Sequence, residues 1–236
     1  MIALSLLTAQ LQEKVVDFFF PRRCISCGRA GDFLCGRCCQ KLPLLLPPLC
    51  QRCGKPESSG GLCAACWGQK TDLDGIRSVF RFEGVIRQAI HELKYRNLRS
   101  LSVRLAGFLA DYVRNDHVNG EVLVPVPLHP KRLRDRGYNQ SGLLAADLGK
   151  LTALPVIMGS LCRLKDSLPQ ARTSNVDARR RNVRKAFACR DDSLRGKDII
   201  LIDDVCTSGA TLEACATAVV AGGANSVWGL TLAREI

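Results

Sequence analysis

Eight cysteines near the start of the 236-residue chain form four pairs with the spacing Cys-x2-Cys. The pairs are Cys24/Cys27, Cys35/Cys38, Cys50/Cys53 and Cys63/Cys66. Such a pair forms a knuckle turn, and two facing knuckles supply four thiolates, which is the ligand set of a structural zinc ion. We therefore predict two structural zinc sites. In the simplest pairing, the first two pairs share one ion and the last two pairs share the other.

The spacing leaves alternatives open. Interleaved pairing of the knuckles satisfies the same pattern, and the thiol of Cys39 can replace that of Cys38. The segment can also hold a single zinc ion or a framework of disulfides. Disulfides need an oxidising compartment, and the apolar residues 2–7 lack the basic flank and cleavage site of a secretion signal. Zinc in a reducing cytoplasm is therefore favoured.

A second group of side chains that could bind a ligand lies in residues 199–212. An apolar stretch ends in Asp203 and Asp204, and a turn rich in hydroxyl groups and glycine then opens a helix. The residues that follow the two acids are Val205, Cys206, Thr207, Ser208, Gly209, Ala210 and Thr211. Free N–H groups at a helix N-terminus suit a phosphate monoester, and carboxylates accept hydrogen bonds from a vicinal diol or bind Mg²⁺. The pattern predicts a site for a 5-phosphorylated ribose, although a simple helix cap is the alternative.

Basic residues are concentrated in the middle of the chain. The net charge is +12, from 34 Lys+Arg against 22 Asp+Glu, and residues 163–196 carry +6 whereas residues 197–236 carry −3. Two clusters are candidates for nucleic-acid binding: Lys131, Arg132, Arg134 and Arg136, and Arg180, Arg181 and Arg184. Binding through such clusters weakens steeply with salt. Only 6% of residues are aromatic, with Tyr95 and Tyr138 as stacking candidates, so we expect non-specific single-strand binding rather than base readout. A solvated helix face is the alternative.

The elements that must position these residues alternate between strands and helices from about residue 76. The pattern predicts strands at 78–82, 121–126, 155–158, 198–203 and 226–232, and helices at 85–95, 101–113, 139–151, 174–185 and 209–221. Alternation of this kind predicts an α/β fold with a doubly wound, mostly parallel sheet, whose strand carboxyl ends form a ligand-binding edge.

Two domains are predicted. Residues 1–70 comprise an amphipathic N-terminal helix and a double zinc ribbon, and residues 71–236 form the sheet domain. The sequence is 47% hydrophobic, which allows a sizeable core, but it has no run of about 18 apolar residues. We therefore expect no insertion into a membrane.

Residues 199–212 resemble the phosphoribosyl pyrophosphate (PRPP) binding motif of type I phosphoribosyltransferases. Further similarity lies in Val-Pro-Val-Pro-Leu-His at 124–129, in Arg-Gly-Tyr-Asn-Gln at 136–140 and in Arg-Arg-Arg-Asn-Val at 179–183. With the cysteine ribbon in front, the chain resembles the ComF/GntX family of competence-associated phosphoribosyltransferase-like proteins over essentially its whole length. The resemblance implies a cytoplasmic role in natural transformation and DNA uptake, with contacts to single-stranded DNA and to other uptake proteins.

The resemblance also implies roles for individual residues. Pro127, Leu128 and His129 would form the loop that holds pyrophosphate, and Mg²⁺ would accompany PRPP. A basic loop that closes over the site would supply Arg163 and Lys165, which join Asp203 and Asp204 as catalytic candidates. Two alternatives to the competence role are an active phosphoribosyltransferase in nucleotide salvage, transferring the pentosyl group to a base or amine, and a PRPP sensor without catalysis.

Overall fold

The computed structural model describes residues 22–115, 118–164 and 186–236. The chain divides into two compact units, Met1–Leu42 and Pro43–Ile236. The second cysteine set therefore belongs to the same unit as the sheet. Two predicted helices, the amphipathic one within residues 1–20 and the polar one at 174–185, lie outside the described residues.

The first unit is built around its cysteines. The thiol-bearing residues Cys24, Cys35 and Cys38 are buried and form its small core. The short helix α1 (Gly36–Cys39) carries the second knuckle, and the N–H of Gly28 closes the first one by donating to the carbonyl of Cys24 at 2.8 Å. The described residues of this unit bury little apolar surface besides the cysteines, and in such segments a bound metal supplies much of the folding free energy.

The second unit contains the strands. They are β1 (Gly75–Arg81), β2 (Val122–Pro125), β3 (Leu161–Arg163), β4 (Phe187–Cys189), β5 (Asp198–Cys206) and β6 (Ser226–Arg234). Four of them form a sheet in the order β1-β6-β5-β2, and every pairing in it is parallel. The remaining two, β3 and β4, pair with each other in antiparallel fashion.

Helices cover both faces of this sheet. They are α2 (Gly84–Tyr95), α3 (Leu101–Asn115), α4 (Pro130–Arg136), α5 (Gln140–Thr152) and α6 (Ala210–Ala221). On one face, Val122 and Val124 share a core cluster with Leu212 of α6. Between them, Leu123 points the other way and approaches Gly149 of α5, as alternation along a strand requires. The predicted fold class, a doubly wound parallel sheet with a zinc ribbon in front, is confirmed.

Within the described residues, most predicted elements are present with shifted ends, and one is not. The expected strand at 155–158 is reduced to a single parallel bridge between Val156 and Leu123. Pro155 has no N–H to donate, and the chain turns away at Gly159 with φ +85°. Four of the described elements were not predicted: the helices α1 and α4 and the strands β3 and β4.

The cysteine-rich part of the second unit is hydrogen-bonded to the edge strand β1. The N–H of Ile76 donates to the carbonyl of Arg52 at 2.7 Å, and the N–H of Leu45 donates to the carbonyl of Val79 at 2.9 Å. An isolated antiparallel bridge joins Leu44 to Phe80. These contacts occupy backbone groups that an exposed edge strand would otherwise offer to another chain.

Candidate phosphate and metal sites

The four cysteine pairs assemble into two separate sets of ligands. In each set, the four sulfur atoms lie within 4.8 Å of one another. The first set is Cys24, Cys27, Cys35 and Cys38, and the second is Cys50, Cys53, Cys63 and Cys66. Sequential pairing of the knuckles is therefore confirmed over interleaved pairing. These are two four-cysteine zinc sites of the structural type, in which thiolates fill all four positions.

The distances between sulfur atoms distinguish zinc from disulfides. Cys27 Sγ lies 3.6 Å from Cys35 Sγ, and Cys53 Sγ lies 3.7 Å from Cys63 Sγ. A disulfide needs about 2.05 Å, whereas a tetrahedral zinc ion with bonds of about 2.3 Å separates its sulfur ligands by about 3.8 Å. The described residues include all 13 cysteines, and every thiol among them is free.

Backbone N–H groups prepare one thiolate in each set. Burial alone would raise the pKa of Cys24, but backbone donors outweigh it and lower that pKa to about 6. The pKa of Cys50 is lowered to about 6 by the same balance, and one of its donors is the N–H of Cys63 at 3.3 Å. The neighbouring thiol of Cys39 instead donates to the carbonyl of Leu34 at 3.6 Å, so Cys38 completes the first set.

The two predicted acids stand at the carboxyl end of the central strand β5, where their environments differ. Asp204 is 3% exposed, and its Oδ2 lies 2.9 Å from Lys94 Nζ of α2. Sequence reasoning missed Lys94. It follows Ile90 by four residues and so stands on the buried face of α2, and a charge on an apolar helix face is the feature that identifies it as a partner for a buried acid.

Asp203 accepts two hydrogen bonds through Oδ1. Ser141 Oγ of α5 donates at 2.8 Å, and the backbone N–H of Asp204 donates at 2.9 Å. Burial, followed by the adjacent charge of Asp204, nevertheless raises the pKa of Asp203 to about 7. Raised acid pKa values are characteristic of sites where a ligand or metal completes the electrostatic environment. Ser141 is a second residue of this site that the sequence did not assign to it.

The turn between β5 and α6 has the geometry of an anion cradle. Gly209 is the residue before α6 and adopts φ +83°, and a Cβ placed on it would lie 3.1 Å from Cδ1 of Ile76. Thr207 and Ser208 are exposed, as are Ala210 and Thr211 in the first helical turn. Gly209 has no side chain with which to cap the helix. The N–H of Ala210 donates to Ser208 Oγ at 3.3 Å, and a bound anion can satisfy the N–H groups that follow in the first turn.

A buried arginine supports this turn from below. Arg234, at the end of β6, is 1% exposed, and its Nη1 donates to Cys206 Sγ at 2.9 Å. Burial raises the pKa of the Cys206 thiol. Val205 precedes this cysteine on β5 and pairs with Ala233. The last two residues of the strand thus hold the base of the turn in place.

The predicted pyrophosphate loop lies at the same sheet edge. Strand β2 ends at Pro125, which is paired with Ile202, and the N–H of Val126 donates to the carbonyl of Ile202 at 2.9 Å. Pro127, Leu128 and His129 follow at once, so they begin beside the acid pair. His129 precedes α4, and its Nδ1 accepts the N–H of Lys131 at 3.1 Å.

The predicted basic residues divide between described and undescribed parts of the chain. Three cations of α4, Lys131, Arg132 and Arg134, are exposed, while Arg136 is half-buried and donates to Gln140 Oε1. Arg163 belongs to β3, and its guanidinium lies 5.4 Å from the Phe187 ring centroid. The remaining candidates, Lys165, Arg180, Arg181 and Arg184, lie outside the described residues. The roles predicted for all of them stay predictions.

Comparisons with known proteins agree with the sequence pattern. Residues 15–68 match the double zinc ribbon domain family. The chain is 29% identical to "Competence protein ComFC" of Bacillus subtilis, over 88% of this chain and 86% of that protein. It is also 29% identical to "Competence protein F" of Haemophilus influenzae, over 91% of this chain and 99% of that protein.

A third relative is named for a role in DNA use. The chain is 26% identical to "DNA utilization protein YhgH" of Escherichia coli K12, over 80% of this chain and 85% of the relative. Together these relatives confirm the predicted resemblance to competence proteins of the ComF type.

Solved structures give a weaker likeness. The glutamine PRPP amidotransferase of B. subtilis matches with a TM-score of 0.40 at 20% identity, over 56% of this chain but only 26% of its own length. A purine phosphoribosyltransferase from Pyrococcus horikoshii matches with a TM-score of 0.34 at 19% identity, over 56% of this chain and 70% of its own. Across the described residues, no helix has the length and apolarity needed to cross a bilayer.

Proposed function

We propose that the edge of the sheet at β5 binds PRPP with Mg²⁺. The observation that carries this proposal is the pairing of a glycine-opened helix N-terminus, at Gly209, with the adjacent acids Asp203 and Asp204. The 5-phosphate would bind at the first turn of α6. The ribose diol and Mg²⁺ would bind at the carboxylates, and residues 127–129 would contact the pyrophosphate.

Magnesium suits the electrostatics of the acid pair. Burial is the main cause of the raised pKa of Asp203, and repulsion from the adjacent carboxylate of Asp204 adds to it. A divalent cation would lower this pKa, because it favours the ionised form of a nearby acid. Lys94 already partly neutralises Asp204, so Asp203 is the carboxylate with more to gain from the metal.

The biological setting that we propose is DNA uptake in natural transformation. It is supported by the similarity to competence proteins over most of the chain and by the exposed cations of α4. The protein would contact single-stranded DNA through Lys131, Arg132, Arg134 and Arg136, continued by Arg180, Arg181 and Arg184, and would meet other uptake proteins. Its zinc thiolates and free cysteines suit a reducing cytoplasm.

The PRPP proposal is tested by thermal unfolding with and without the ligand. PRPP with Mg²⁺ should raise the unfolding temperature, since a ligand at 100 times its Kd stabilises the folded state by about 2.7 kcal/mol. Asp203→Asn should remove most of the rise while keeping an oxygen that accepts the hydrogen bond from Ser141. Asp192→Asn, whose side chain is 81% exposed, is the matched control and should keep the full rise. If PRPP leaves the intact protein unchanged, the proposal is wrong.

Turnover separates a binding protein from an enzyme. In a panel of bases and amines, release of pyrophosphate from PRPP would identify an active phosphoribosyltransferase, with Arg163 and Lys165 as its catalytic candidates. Binding without release would favour the competence role or a sensor.

The DNA proposal is tested by the salt dependence of oligonucleotide binding. The slope of log K against log salt is about −0.7 per phosphate neutralised on a single strand. The double change Arg132→Ala and Arg134→Ala should weaken binding and flatten the slope by about 1.4. Arg195→Ala is the control, because that guanidinium is exposed and lies 3.1 Å from Asp192. An unchanged slope in the double variant would exclude α4 from the DNA contact.

A further inference from the structure

A cavity of about 560 Å³ opens beside the acid pair. Its wall is formed by α2, the residues that follow it, and α4, and it includes Lys94, Tyr95, Arg132, Asp135, Arg136 and Tyr138. Its volume lies within the range of about 300–1,000 Å³ that is usual for small-molecule sites. Lys94 also contacts Asp204, so this side chain connects the wall of the cavity to the acids at the end of β5.

The two tyrosines of the cavity have different roles. Tyr138 is 7% exposed, its hydroxyl donates to the carbonyl of Leu93, and the Arg99 guanidinium lies 4.5 Å from its ring centroid. It is a fixed part of the wall. Tyr95, in contrast, is 65% exposed, so much of its ring is open to a ligand.

Tyr95 is already engaged by a cation. The guanidinium of Arg136 lies 5.2 Å from its ring centroid, and His91 packs against it with ring centroids 4.7 Å apart at a tilt of 47°. These contacts restrict the ring without covering it. An exposed aromatic ring held in place by neighbours is suited to stacking against a planar ligand, because little side-chain entropy remains to be lost on binding.

The charge of the cavity favours an anionic ligand. Arg132 and Arg136 contribute two guanidinium groups, and Asp135, the one acid among the described residues of its wall, offsets only one of them. Lys94 is occupied by Asp204. Guanidinium groups bind phosphate through paired hydrogen bonds, and in this cavity they lie beside an open aromatic ring.

We propose that this cavity binds one nucleotide unit, with the base stacked on Tyr95 and the phosphate held by Arg132 and Arg136. The ligand class rests on the proposed contact with single-stranded DNA, and the same chemistry is offered by a free nucleoside monophosphate. Stacking on a single tyrosine favours no particular base. The cavity would therefore anchor a strand of any sequence next to the PRPP site.

The test compares three ligands on the full chain: a labelled 15-mer of thymidylate, an abasic strand of equal length, and free thymidine monophosphate. Tyr95→Leu should weaken binding of the thymidylate strand by at least about fivefold, because loss of one base–aromatic stack costs about 1–3 kcal/mol. Tyr95→Phe keeps the ring and should bind as the native protein does. The abasic strand should bind the native protein and the leucine variant equally.

Trp67→Leu is the matched control, since Trp67 is another exposed aromatic residue, at 75% exposure, outside the cavity. It should leave binding of every ligand unchanged. Because both positions are exposed, equal unfolding temperatures verify that each variant is folded.

The outcomes separate the two proposals. If the thymidylate strand binds but Tyr95→Leu has no effect, the cavity proposal is wrong and the DNA contact stands. If neither strand binds, the DNA contact is wrong, and the mononucleotide decides: binding that Tyr95→Leu weakens supports a free nucleotide in the cavity, whereas no binding overturns both.

Discussion

Two adjacent aspartates at the end of β5 have opposite electrostatic environments. Asp204 is buried against the Lys94 ammonium, whereas Asp203 accepts neutral hydrogen bonds from Ser141 and from the backbone. Burial, followed by the neighbouring charge of Asp204, raises the pKa of Asp203 to about 7. The buried carboxylate of Asp203 lowers the stability of the folded protein, but it lies where a metal or a diol could bind. Such a trade-off between stability and function is common in functional sites.

We predict that the effect of Asp203→Asn on stability depends on pH. The acid ionises near its ordinary value of 3.8 in the unfolded chain and near 7 in the folded protein. The folded state therefore holds the extra proton between these values, and native stability falls as pH rises through that interval. Asparagine does not titrate, so the variant should gain about 3 kcal/mol relative to the native protein between pH 5 and pH 8.

Urea unfolding at the two pH values, without Mg²⁺, measures this difference. Asp192→Asn is the control, because that acid is exposed and should show the same difference from the native protein at both pH values. A constant offset for Asp203→Asn would mean that the acid is ionised at pH 5 in the folded state.

For individual residues, the sequence predicts which side chains bind a ligand better than it predicts which other side chains contact them. The acids and the glycine turn were predictable because they are contiguous in the chain. Lys94 and Ser141 come from helices far away in sequence, and only the parallel sheet brings them to the same edge. The sequence does not distinguish Tyr95 from Tyr138 as stacking candidates. In the structure Tyr138 is buried in the wall of the cavity, whereas Tyr95 is exposed.

At the level of structural elements, the segment that carries the second cysteine set contacts strand β1, so this candidate metal site is linked to the edge of the sheet. The carbonyl of Arg52, inside a knuckle, accepts the N–H of Ile76, and Ile76 in turn lies against Gly209 in the turn between β5 and α6. Gly54 closes the knuckle at φ +68°, and a Cβ on it would lie 2.4 Å from the carbonyl oxygen of Ile76. The knuckle can approach β1 this closely only because residue 54 is a glycine.

We predict that Gly54→Ala destabilises the protein by about 3 kcal/mol, from roughly 1 kcal/mol of left-handed backbone strain and the remainder from the clash. Gly196→Ala is a close control, since Gly196 has φ +69° and nothing within 4 Å of an added Cβ. It should cost about 1 kcal/mol. Chemical unfolding of both variants gives the comparison, and equal losses would mean that the close approach to Ile76 has no energetic weight.

The elements that the sequence missed share a physical reason. The residues of α4 are all at least partly exposed, so this helix has no apolar stripe to reveal it. Strands β3 and β4 have three residues each, too few to show an alternating pattern. By contrast, the long apolar run of β5 and the regular apolar spacing of α2 and α3 were sufficient, because burial of those side chains decides the local structure.

Because the chain divides into two units, loss of zinc from one site should affect a different part of the molecule than loss of zinc from the other. The set beginning at Cys24 lies in the unit that ends at Leu42, and the set beginning at Cys50 lies in the unit that contains the sheet. The sequence predicts one N-terminal domain, residues 1–70, that holds both sites. Their difference arises from backbone hydrogen bonds between residues 43–54 and β1, which leave no trace in the spacing of the cysteines.

We predict that the purified chain carries two zinc ions and that losing them has unequal effects. Cys35→Ser and Cys63→Ser should each reduce the metal content to about one zinc ion per chain. A four-cysteine site loses much of its zinc affinity when one of its ligands is removed. Cys63→Ser should also accelerate hydrogen exchange in β1 and β6, since the knuckle at Arg52 and Gly54 is bonded to the sheet edge. Cys35→Ser should leave that exchange unchanged. Metal analysis and exchange measured by mass spectrometry provide both readouts, and equal acceleration in the two variants would contradict the assignment of the second site to the sheet unit.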